Sequence, residues 1–513
     1  MQKGSTRLGW PVDDILPLFH ATKMFALNHF FYDKNHFFEH ILLAGGKYLC
    51  PLLLRSISMM NQDTLQLLKQ YDLPTPRYTS YPTVPYWDFN SIDENAWKES
   101  VIKTFIAEKG EICLYIHLPF CENLCTFCAC NKRITVNHAV ELPYLVALLK
   151  EWKIYRSLFP FQPTIKEIHL GGGTPTFFSP QNLLSLIKGI TRDALIAPDH
   201  EFSIEVHPNF STEEHLKELA AIGFNRISLG VQDFDPKVQF AINRMQSFEK
   251  TKEVVDWARK HNYQSINIDL IYGLPFQTVE SVELSMQSIQ SLMPDRIAFY
   301  SYAHVPWKSK VQRRYNDHDL PRAEEKWKMY QRGKELLEKE GFKSIGMDHF
   351  ALPNDKMMLA AATGKLHRNF MGYTTTNSKL LIGLGASSIS DSWNAFVQNE
   401  KTVEDYQSRV MGGSLPIMTG HLLTKEDELI RSLILDLICK GSTTLPKDQL
   451  SADYIERALQ QLALLQKDEL LTIEGNLILV TQKGASFIRN ICACLDAKLM
   501  EKGSVVNTFS KAI

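Results

Sequence analysis

Hydrophobic positions between residues 111 and 302 alternate between strand-like runs and amphipathic helical patterns. The strand-like runs, rich in β-branched and aromatic residues, lie at residues 112–117, 165–170, 202–206, 226–231, 265–271 and 296–302. Helical patterns fill the intervals, as in residues 213–222 and 247–261. Strand–helix repeats at this spacing are typical of right-handed βαβ units around a parallel sheet. Because six such runs are fewer than a closed (β/α)8 barrel contains, we predict an α/β fold built on a partial (β/α)6, TIM-like barrel.

The residues that follow these runs are unusual for strand-to-helix connections. A group of cysteines follows the first run, and a Gly-Gly-Gly-Thr turn at Gly171–Thr174 follows the second. At the ends of the other four runs lie Glu205, Gln232, Asp269 and Ala303–His304. Since the carboxyl ends of parallel strands form the ligand-binding face of barrel-type α/β proteins, we predict that these residues share one site.

Flanking patterns predict an appendage on each side of the barrel. Residues 71–87 are dense in Pro, Tyr and Thr, which indicates ordered but irregular chain. A charged helix at 322–344 leads into a mixed region, and from about residue 423 the pattern is helical with a hairpin at 470–481. The C-terminal part lacks the basic surface of a DNA reader, so covering the substrate is its expected role. We divide the chain into an unmatched extension (1–59), an N-terminal lid segment (60–110), a catalytic domain (111–400) and a mainly helical, winged-helix-like C-terminal domain (401–513).

The first 59 residues have two interpretations. Residues 18–58 are rich in Phe, His and Leu but have neither helical nor strand periodicity. They are either an additional docking or membrane-surface segment, or upstream sequence in a protein whose translation begins near Met60. We favour the second interpretation, and an intact product beginning at Met1 in mass spectra of the natural protein would contradict it.

Charge and composition exclude several classes of protein. Lys plus Arg (56) nearly balances Asp plus Glu (57), which excludes a protein that coats nucleic acid. No uninterrupted apolar stretch reaches the roughly 18 residues of a membrane span. An acidic pair interrupts the position where a signal peptide needs its apolar region, so we expect a cytoplasmic protein. We expect a monomer, because nothing in the sequence demands an oligomer.

Four cysteines lie within ten residues, at Cys121, Cys125, Cys128 and Cys130. Structural zinc sites usually draw ligand pairs from separated segments, which this run does not provide. A C-x3-C-x2-C loop instead wraps readily around three corners of a [4Fe–4S] cluster and leaves one iron open. We therefore predict a cluster rather than zinc or a disulfide, and interpret Cys50, Cys113, Cys439, Cys492 and Cys494 as ordinary thiols.

This cysteine spacing after the first strand resembles the signature of the radical S-adenosylmethionine (SAM) enzymes. In that family the amino and carboxylate groups of SAM bind the open iron, and one electron cleaves the sulfonium to give a 5′-deoxyadenosyl radical. The Gly171–Thr174 turn fits this resemblance, because backbone without side chains can approach the methionine part of SAM closely.

Longer motifs resemble the oxygen-independent coproporphyrinogen III oxidase family from Met60 to the C-terminal region. They are PRYTSYPT (76–83), YIHLPFCENLCTFCACN (115–131), LGGGTPT (170–176), ISLGVQDF (227–234), INRMQ (242–246), DLIYGLP (269–275), YAHVPW (302–307) and GLGASSIS (383–390). Cys130 and the RYTSYPT segment are specific markers, since related haem chaperones typically lack both.

The resemblance implies a role for each matching position. Cys121, Cys125 and Cys128 would hold the cluster, and Cys130 would be needed for catalysis without being a ligand. The positions implied to contact SAM on the open iron are Tyr115, Gly172, Glu205 and Ile389. Those implied to line a second SAM are Phe127, Gly173, Thr174, Gln232, Arg244, Asp269 and Ala303. Those in the segment implied to fold over the active site are Arg77, Tyr78 and Tyr81.

The implied activity is the anaerobic oxidative decarboxylation of two propionates of coproporphyrinogen III to vinyl groups, giving protoporphyrinogen IX. It requires a reductase or other electron donor and an electron acceptor. Candidate partners of the substrate carboxylates are Arg77, Arg133 and Arg226, because guanidinium pairs well with carboxylate. We interpret His117, His169, His207 and His304 as hydrogen-bonding or substrate-side groups rather than as a metal site. Two alternatives are a haem-binding chaperone on the same scaffold and a different radical SAM reaction such as haem-ring opening.

Overall fold

Six neighbouring parallel strands form the centre of the fold, and each coincides with a predicted run. The computed structural model describes residue 63, residues 65–503 and residues 508–511, so the predicted extension at 1–59 lies outside the described residues. The central strands are β1 (Glu111–Leu118), β2 (Thr164–Gly172), β3 (Leu195–Val206), β4 (Phe224–Gln232), β5 (Ser265–Tyr272) and β6 (Arg296–Ser301). Each pairs in parallel with the next, which confirms the partial (β/α)6 barrel.

Shorter strands extend this sheet beyond both of its edges. They are β7 (Lys343–Ser344), β8 (His349–Ala351), β11 (Leu381–Leu384), β12 (Ile389–Asp391), β13 (Ala395–Asn399) and β14 (Ile417–Leu422), while β9 (His367–Asn369) and β10 (Gly372–Thr374) form a separate hairpin. The twelve-stranded order is β14-β13-β12-β11-β1-β2-β3-β4-β5-β6-β8-β7. The sequence did not predict these flanking strands, because runs of two to six residues are too short to carry a clear period.

Helices follow the barrel strands as the sequence predicts. They are α1 (Glu94–Ala107), α2 (Glu141–Leu158), α3 (Pro180–Thr191), α4 (Glu213–Ala220), α5 (Pro236–Ala241), α6 (Phe248–Lys260), α7 (Val279–Gln290), α8 (Ala323–Lys339), α9 (Lys356–Ala362), α10 (Val403–Met411), α11 (Lys425–Lys440), α12 (Ala452–Lys467), α13 (Ile488–Ala493) and α14 (Ala497–Lys502). Helix α4 begins after Thr212, whose side chain accepts a hydrogen bond from the backbone N–H of His215. Its apolar face buries Leu216 and Leu219 in the core between helices and sheet. No helix among the described residues is long and apolar enough to cross a membrane.

The C-terminal region contains the helices and the hairpin that the sequence predicts. Helices α11 and α12 pack with a three-stranded sheet in the order β15 (Ser442–Thr444), β17 (Leu477–Val480), β16 (Leu471–Glu474). The third strand was not predicted, and the expected last helix is divided into α13 and α14. This region has a hydrophobic core of its own, to which Tyr71, Tyr78 and Tyr81 of the N-terminal segment also contribute.

Residues 71–87 are irregular, with a single 3-10 turn at Val84–Tyr86, as predicted. The hydroxyl group of Tyr78 donates to a carboxylate oxygen of Asp496 at 3.1 Å, and both side chains are buried. Arg489 of α13 donates from Nε to the carbonyl oxygen of Pro76 at 3.1 Å. The segment is thus ordered by contacts with the C-terminal helices together with a few hydrogen bonds of its own, such as that from the Trp87 indole to the carbonyl oxygen of Pro82.

The amino ends of the barrel strands hold a buried charge network. Arg226 of β4 donates to Glu201 of β3 at 2.8 Å. Arg296 of β6 donates from Nε to both carboxylate oxygens of Asp355 at 2.8 Å. These ends of the strands are opposite to the carboxyl ends, where the cysteines lie, so Arg226 does not reach the predicted site and cannot bind a substrate carboxylate there.

Arg296→Met is expected to destabilise the fold by about 3–5 kcal/mol. Arg296 is 2% exposed, and its removal leaves the buried carboxylate of Asp355 without its cation and Glu201 with Arg226 alone. The measurement is the free energy of unfolding in urea. Arg409→Gln, on the surface at the end of α10, is the control and should change it by less than about 0.5 kcal/mol. An Arg296 effect as small as that of the control would contradict the expectation.

Candidate active site

The cysteine loop leaves β1 and is fixed at its base and in its middle. Phe120–Cys121 pairs in parallel with Arg133–Ile134, which closes the loop. In the middle, the backbone N–H of Thr126 donates to the carbonyl oxygen of Ile242 at 2.9 Å. These contacts hold the intervening chain against the carboxyl end of the barrel.

The thiols of the loop face a cavity of about 160 Å³, which we call the cysteine cavity. It brings together residues that are up to 148 positions apart in the chain. Its predicted lining residues are Cys121, Cys125, Phe127, Cys128, Cys130, Gly172, Gly173, Thr174, Glu205, Gln232, Arg244 and Asp269. The prediction that residues at the carboxyl ends of the strands share one site is therefore correct for five of the six strands.

A second cavity of about 310 Å³, the tyrosine cavity, adjoins the first. It is lined by Tyr115, Ile389, Gly172 and Glu205, the four positions that the resemblance assigns to SAM on the open iron. Gly172, Glu205 and Cys130 line both cavities, so the two spaces meet at these residues. The structure thus brings together the four positions that the resemblance implies for SAM on the open iron.

Ala303 is the one predicted position that lines neither cavity. Its carbonyl oxygen accepts from Nε2 of Gln312 at 3.2 Å, and the same amide donates to the carbonyl oxygen of Phe127 at 3.0 Å. Gln312 is fully buried and ties the end of β6 to the cysteine loop. Ala303 therefore lies behind Phe127, next to the cysteine cavity.

The glycine turn requires glycine for steric reasons. Gly172 has a φ of +110°, and a Cβ there would lie 2.6 Å from the imidazole of His117. At Gly173 a Cβ would lie 2.7 Å from the carbonyl group of Pro119. The backbone N–H of Gly172 donates to Oε2 of Glu205 at 3.1 Å. The turn therefore exposes backbone to both cavities at a place where no side chain fits.

Glu205 presents a carboxylate between the cavities. Its burial alone would raise its pKa, but hydrogen bonds from His169 at 3.3 Å and from the N–H of Gly172 outweigh burial and lower the pKa. The ring of His169 stacks on Tyr115, whose hydroxyl bonds to Nδ1 of His117 at 3.0 Å. Glu205 is thus an ionised acceptor suited to an ammonium or hydroxyl group of a ligand.

Asp269, at the opposite wall, has a different environment. Ser228 and Asn267 donate hydrogen bonds to its two oxygens at 2.9 Å and 2.8 Å. Burial outweighs these bonds and raises the pKa of Asp269 to about 6. Its carboxyl group can therefore exchange a proton close to neutral pH.

Cationic side chains lie beside the thiols. Arg244 is 9% exposed, bonds to the carbonyl oxygen of Gly230 and places Nη1 3.7 Å from Sγ of Cys125. Nζ of Lys132 lies 3.1 Å from the carbonyl oxygen of Cys128. A hydrogen bond from the Cys130 thiol and the charge of Lys132 lower the pKa of Cys128 below its ordinary value, although burial opposes them, whereas burial raises the pKa of Cys121 to about 11. At Cys128 these groups favour the thiolate form that metal coordination needs.

The candidate partners of carboxylates and the other thiols lie elsewhere. Arg133 is exposed and forms an ion pair with Glu404 on the surface. Arg77 donates to the carbonyl oxygen of Ser301 at the carboxyl end of β6. The described cysteines outside the loop, which are Cys113, Cys439, Cys492 and Cys494, are buried and line neither cavity, and Cys50 lies outside the described residues.

Comparison with known proteins identifies the family. Residues 115–289 match the Radical SAM superfamily. Three relatives are named oxygen-independent coproporphyrinogen III oxidase: the Pseudomonas aeruginosa protein is 38% identical over 84% of this chain and 95% of its own length, the Synechocystis protein 37% over 87% and 97%, and the Escherichia coli protein 38% over 89% and 100%. This chain belongs to the oxygen-independent coproporphyrinogen III oxidases.

A solved structure supports the same assignment. The coproporphyrinogen III oxidase from Escherichia coli, described as a radical SAM enzyme, superposes with a TM-score of 0.79 at 38% identity. The superposition covers 84% of this chain and 98% of the other. For a radical SAM coproporphyrinogen III oxidase, the cofactors are a [4Fe–4S] cluster and SAM.

The residues of this oxidase fit these cofactors. No group of three or more His, Cys, Asp or Glu side chains in the described part of the chain is arranged around a single metal ion. Ligands of a cubane cluster bind different iron atoms, so three cysteines spread along one cavity wall suit a cluster better than a single ion. The adjoining tyrosine cavity offers an ionised carboxylate and an apolar wall to a bound SAM.

Several lining residues escaped the sequence analysis of this oxidase. Lys132 was detectable as the basic residue nearest the cysteines. His207 was interpreted only as a hydrogen-bonding or substrate-side group. It lines the cysteine cavity, where burial and the charge of Arg244 lower its pKa to about 2. Phe370 and Met371, in the turn of the β9–β10 hairpin, line the tyrosine cavity. No local signal marks them, because tertiary packing alone brings this hairpin to the site.

Glu151 of α2 fixes the loop that borders the tyrosine cavity. One carboxylate oxygen accepts from the N–H of Gly385 at 2.9 Å and from the hydroxyl of Tyr406 at 2.7 Å. The other accepts from the side-chain amide of Asn399 at 2.7 Å. Burial raises the pKa of Glu151 to about 7, so this buried group titrates near neutrality.

Glu151→Gln is expected to destabilise this oxidase by about 1–3 kcal/mol at pH 7, because the amide NH2 faces hydrogen-bond donors. The pH dependence should also change. Since the folded-state pKa of about 7 exceeds the ordinary value of 4.5, the folded state binds the extra proton between these pH values, and stability falls as pH rises through them. In the variant, the slope of stability against pH should be smaller by up to about 1.4 kcal/mol per pH unit. Urea unfolding from pH 4.5 to pH 7 measures this slope. Glu99→Gln, at an exposed position, is the control. An unchanged slope in Glu151→Gln would contradict the raised pKa of Glu151.

Proposed function

We propose that this protein catalyses the anaerobic oxidative decarboxylation of two propionate side chains of coproporphyrinogen III to vinyl groups, giving protoporphyrinogen IX. The observation that carries the proposal is the meeting of two cavities at Gly172 and Glu205, with three cysteines in one and Tyr115 in the other. Membership of the coproporphyrinogen III oxidases supports this substrate. No comparison favours a haem-binding chaperone or another radical reaction.

The chain's own residues would divide the work as follows. Cys121, Cys125 and Cys128 would hold the [4Fe–4S] cluster. When bound, the cluster and SAM supply the one-electron chemistry that removes a hydrogen atom from the propionate carbon attached to the pyrrole. Glu205, held by the N–H of Gly172, would orient polar groups of SAM, and Ile389 would give the tyrosine cavity an apolar wall.

The cysteine cavity would accommodate the second SAM. Phe127, Gly173, Thr174, Gln232, Arg244 and Asp269 line it, and Ala303 would act through Gln312 on the backbone of Phe127. The Arg244 guanidinium suits a carboxylate, and Asp269 suits an amine or hydroxyl group. Cys130 lines both cavities and would serve catalysis there, for which proximity is the only support in the structure.

Residues 60–110 would act as a lid on the catalytic domain (111–400), together with the C-terminal domain (401–513). The contact of Arg77 with Ser301 at the end of β6, and the packing of Tyr78 and Tyr81 in the core of the C-terminal region, support this proposal. Closing a site expels water, which protects a reactive radical. We further propose a cytoplasmic monomer that takes electrons from a reductase and passes the electrons released by decarboxylation to a separate acceptor.

An anaerobic assay tests the proposed function. Protein reconstituted with iron and sulfide is reduced with dithionite, freed of excess reductant and incubated with SAM, coproporphyrinogen III and a one-electron acceptor, and the products are analysed by mass spectrometry. We expect protoporphyrinogen IX and the release of two molecules of CO2 per substrate, with no product when SAM is omitted. Stoichiometric haem binding without this product, or a ring-opened product, would overturn the proposal.

A further inference from the structure

A third cavity, of about 40 Å³, lies where the lid segment, the barrel and the C-terminal domain meet. We call it the arginine cavity, because the guanidinium groups of Arg77, Arg368 and Arg489 line it. The only acidic side chain among its described lining residues is that of Asp348. Three cations against one anion leave this small space with excess positive charge.

Arg368, in strand β9, is the cation whose bonding is incomplete. It is 7% exposed, and its Nε and Nη1 atoms have no hydrogen-bond partner in the described part of the chain. Its guanidinium lies over the ring of Tyr373 at 4.7 Å. A cation–π contact satisfies none of the N–H groups as donors, and buried donors without acceptors are rare in folded proteins. An acceptor from outside the chain would complete this environment.

The other two arginines are partly or fully engaged. Nη2 of Arg77 donates to the carbonyl oxygen of Ser301 at 2.9 Å. Arg489 holds the carbonyl oxygens of Pro76 and Lys511. Burial and the nearby charge of Arg77 lower the pKa of Arg489 to about 9, which reflects the excess of positive charge. Arg489 thus contributes positive charge to the cavity, whereas Arg368 also has N–H groups that can bind a ligand.

The arginine cavity is connected to the reaction site through one short hairpin. Arg368 lies in β9, and Phe370 and Met371, in the turn that follows, line the tyrosine cavity. Ser301, which also lines the arginine cavity, ends β6 at the carboxyl face of the barrel. A ligand with carboxylates on arms spread around a large ring could therefore place one arm here and another beside the tyrosine cavity.

We propose that Arg368, with Arg77 beside it, binds one propionate carboxylate of the substrate while another propionate lies at the reaction site. The proposal rests on the proposed function. A space of about 40 Å³ admits a carboxylate group or a few water molecules but no tetrapyrrole ring, so only the end of a side chain enters. Arg368 is then a binding residue that selects a polycarboxylate substrate and fixes which propionate reaches the reaction site.

The binding test uses coproporphyrin III, the stable aromatic form of the tetracarboxylate, and its tetramethyl ester. Fluorescence titration of the reconstituted protein should show that Arg368→Gln weakens binding of the acid about tenfold to a hundredfold, as expected for a lost charge-assisted hydrogen bond. Arg368→Lys should recover part of this loss. Binding of the ester, which carries no charge, should differ little between Arg368→Gln and the unchanged protein. The surface variant Arg409→Gln is the matched control and should bind both ligands normally.

Steady-state kinetics distinguishes a loss of substrate binding from a structural defect. Arg368→Gln should raise KM for coproporphyrinogen III about tenfold or more, while cleavage of SAM in the absence of substrate stays normal. If Arg368→Gln does not fold, Arg368→Lys and Arg77→Gln decide by the same readouts. Normal affinity for coproporphyrin III in the variants that fold would overturn the proposal.

If inorganic phosphate is the true occupant of the arginine cavity, phosphate should raise the melting temperature of the unchanged protein but not that of Arg368→Gln, while both proteins bind coproporphyrin III equally. That result would overturn the proposal. If the unchanged protein neither binds nor converts the substrate, the proposed function itself fails, whereas a working unchanged protein with unaffected variants refutes only the role of Arg368.

Discussion

Cys125→Ser is expected to remove the [4Fe–4S] cluster and to abolish formation of protoporphyrinogen IX. Cys125 is half-buried in the wall of the cysteine cavity, with the Arg244 guanidinium 3.7 Å from its sulfur. A serine hydroxyl, with its much higher pKa, does not replace a thiolate as an iron ligand. With only two cysteine ligands left, the cluster should not assemble, so turnover should fall below detection.

Iron and sulfide analysis and the broad absorbance of the cluster at about 400 nm measure this loss. Cys494→Ser is the matched control, because Cys494 is buried in the C-terminal domain and its thiol donates to the carbonyl oxygen of Asn490 at 3.4 Å. A serine there keeps the donor, so the control should retain cluster and activity. Full iron and sulfide in Cys125→Ser would contradict the assignment of this ligand.

Gly173→Ala is expected to weaken SAM binding about fivefold to 150-fold, which corresponds to about 1–3 kcal/mol of overpacking. The new Cβ would lie 2.7 Å from the carbonyl group of Pro119 and 2.8 Å from the carbonyl oxygen of Phe120. Both obstacles are backbone atoms, so no side-chain rotation relieves the contact. The N–H of Gly173 also bonds to the carbonyl oxygen of Leu118 at 2.8 Å, which resists displacement of the turn.

Equilibrium binding of SAM to the reconstituted protein measures this effect, and the iron content should stay normal. Gly412→Ala is the matched control. Gly412 has a φ of −72°, and a Cβ there would approach no atom closer than 3.2 Å. It should leave SAM affinity unchanged. SAM affinity in Gly173→Ala equal to that of the control would show that the turn does not form part of the SAM site.

The barrel could be predicted from the sequence because its order is local. Each of the six strands is a run of apolar residues that is long enough to show the pattern of a strand. Helices such as α4 have an amphipathic face and a capping residue, here Thr212. The location of the site at the carboxyl ends of the strands could be predicted, because ligands of barrel-type α/β proteins bind at that face. The identity of the cofactors needed more, namely the spacing of Cys121, Cys125 and Cys128.

The rest of the site depends on long-range packing, which leaves little trace in the sequence. Strands β7–β14 are short, and the two that join the barrel, β8 and β11, pair with β6 and β1, which lie far away in sequence. The hairpin that carries Arg368 and Phe370 reaches the site from outside the βα repeat. Arg226 shows the converse error, since its charge type suited a carboxylate but its position at the amino end of β4 pairs it with Glu201.

We propose that the two adjoining cavities hold SAM beside a propionate of coproporphyrinogen III, from which a hydrogen atom is removed. The most direct measurement uses coproporphyrinogen III labelled with deuterium at the propionate carbons attached to the pyrrole rings, with mass analysis of the 5′-deoxyadenosine formed under anaerobic conditions. We expect deuterium in 5′-deoxyadenosine together with formation of protoporphyrinogen IX. Formation of protoporphyrinogen IX with no deuterium in 5′-deoxyadenosine would contradict it.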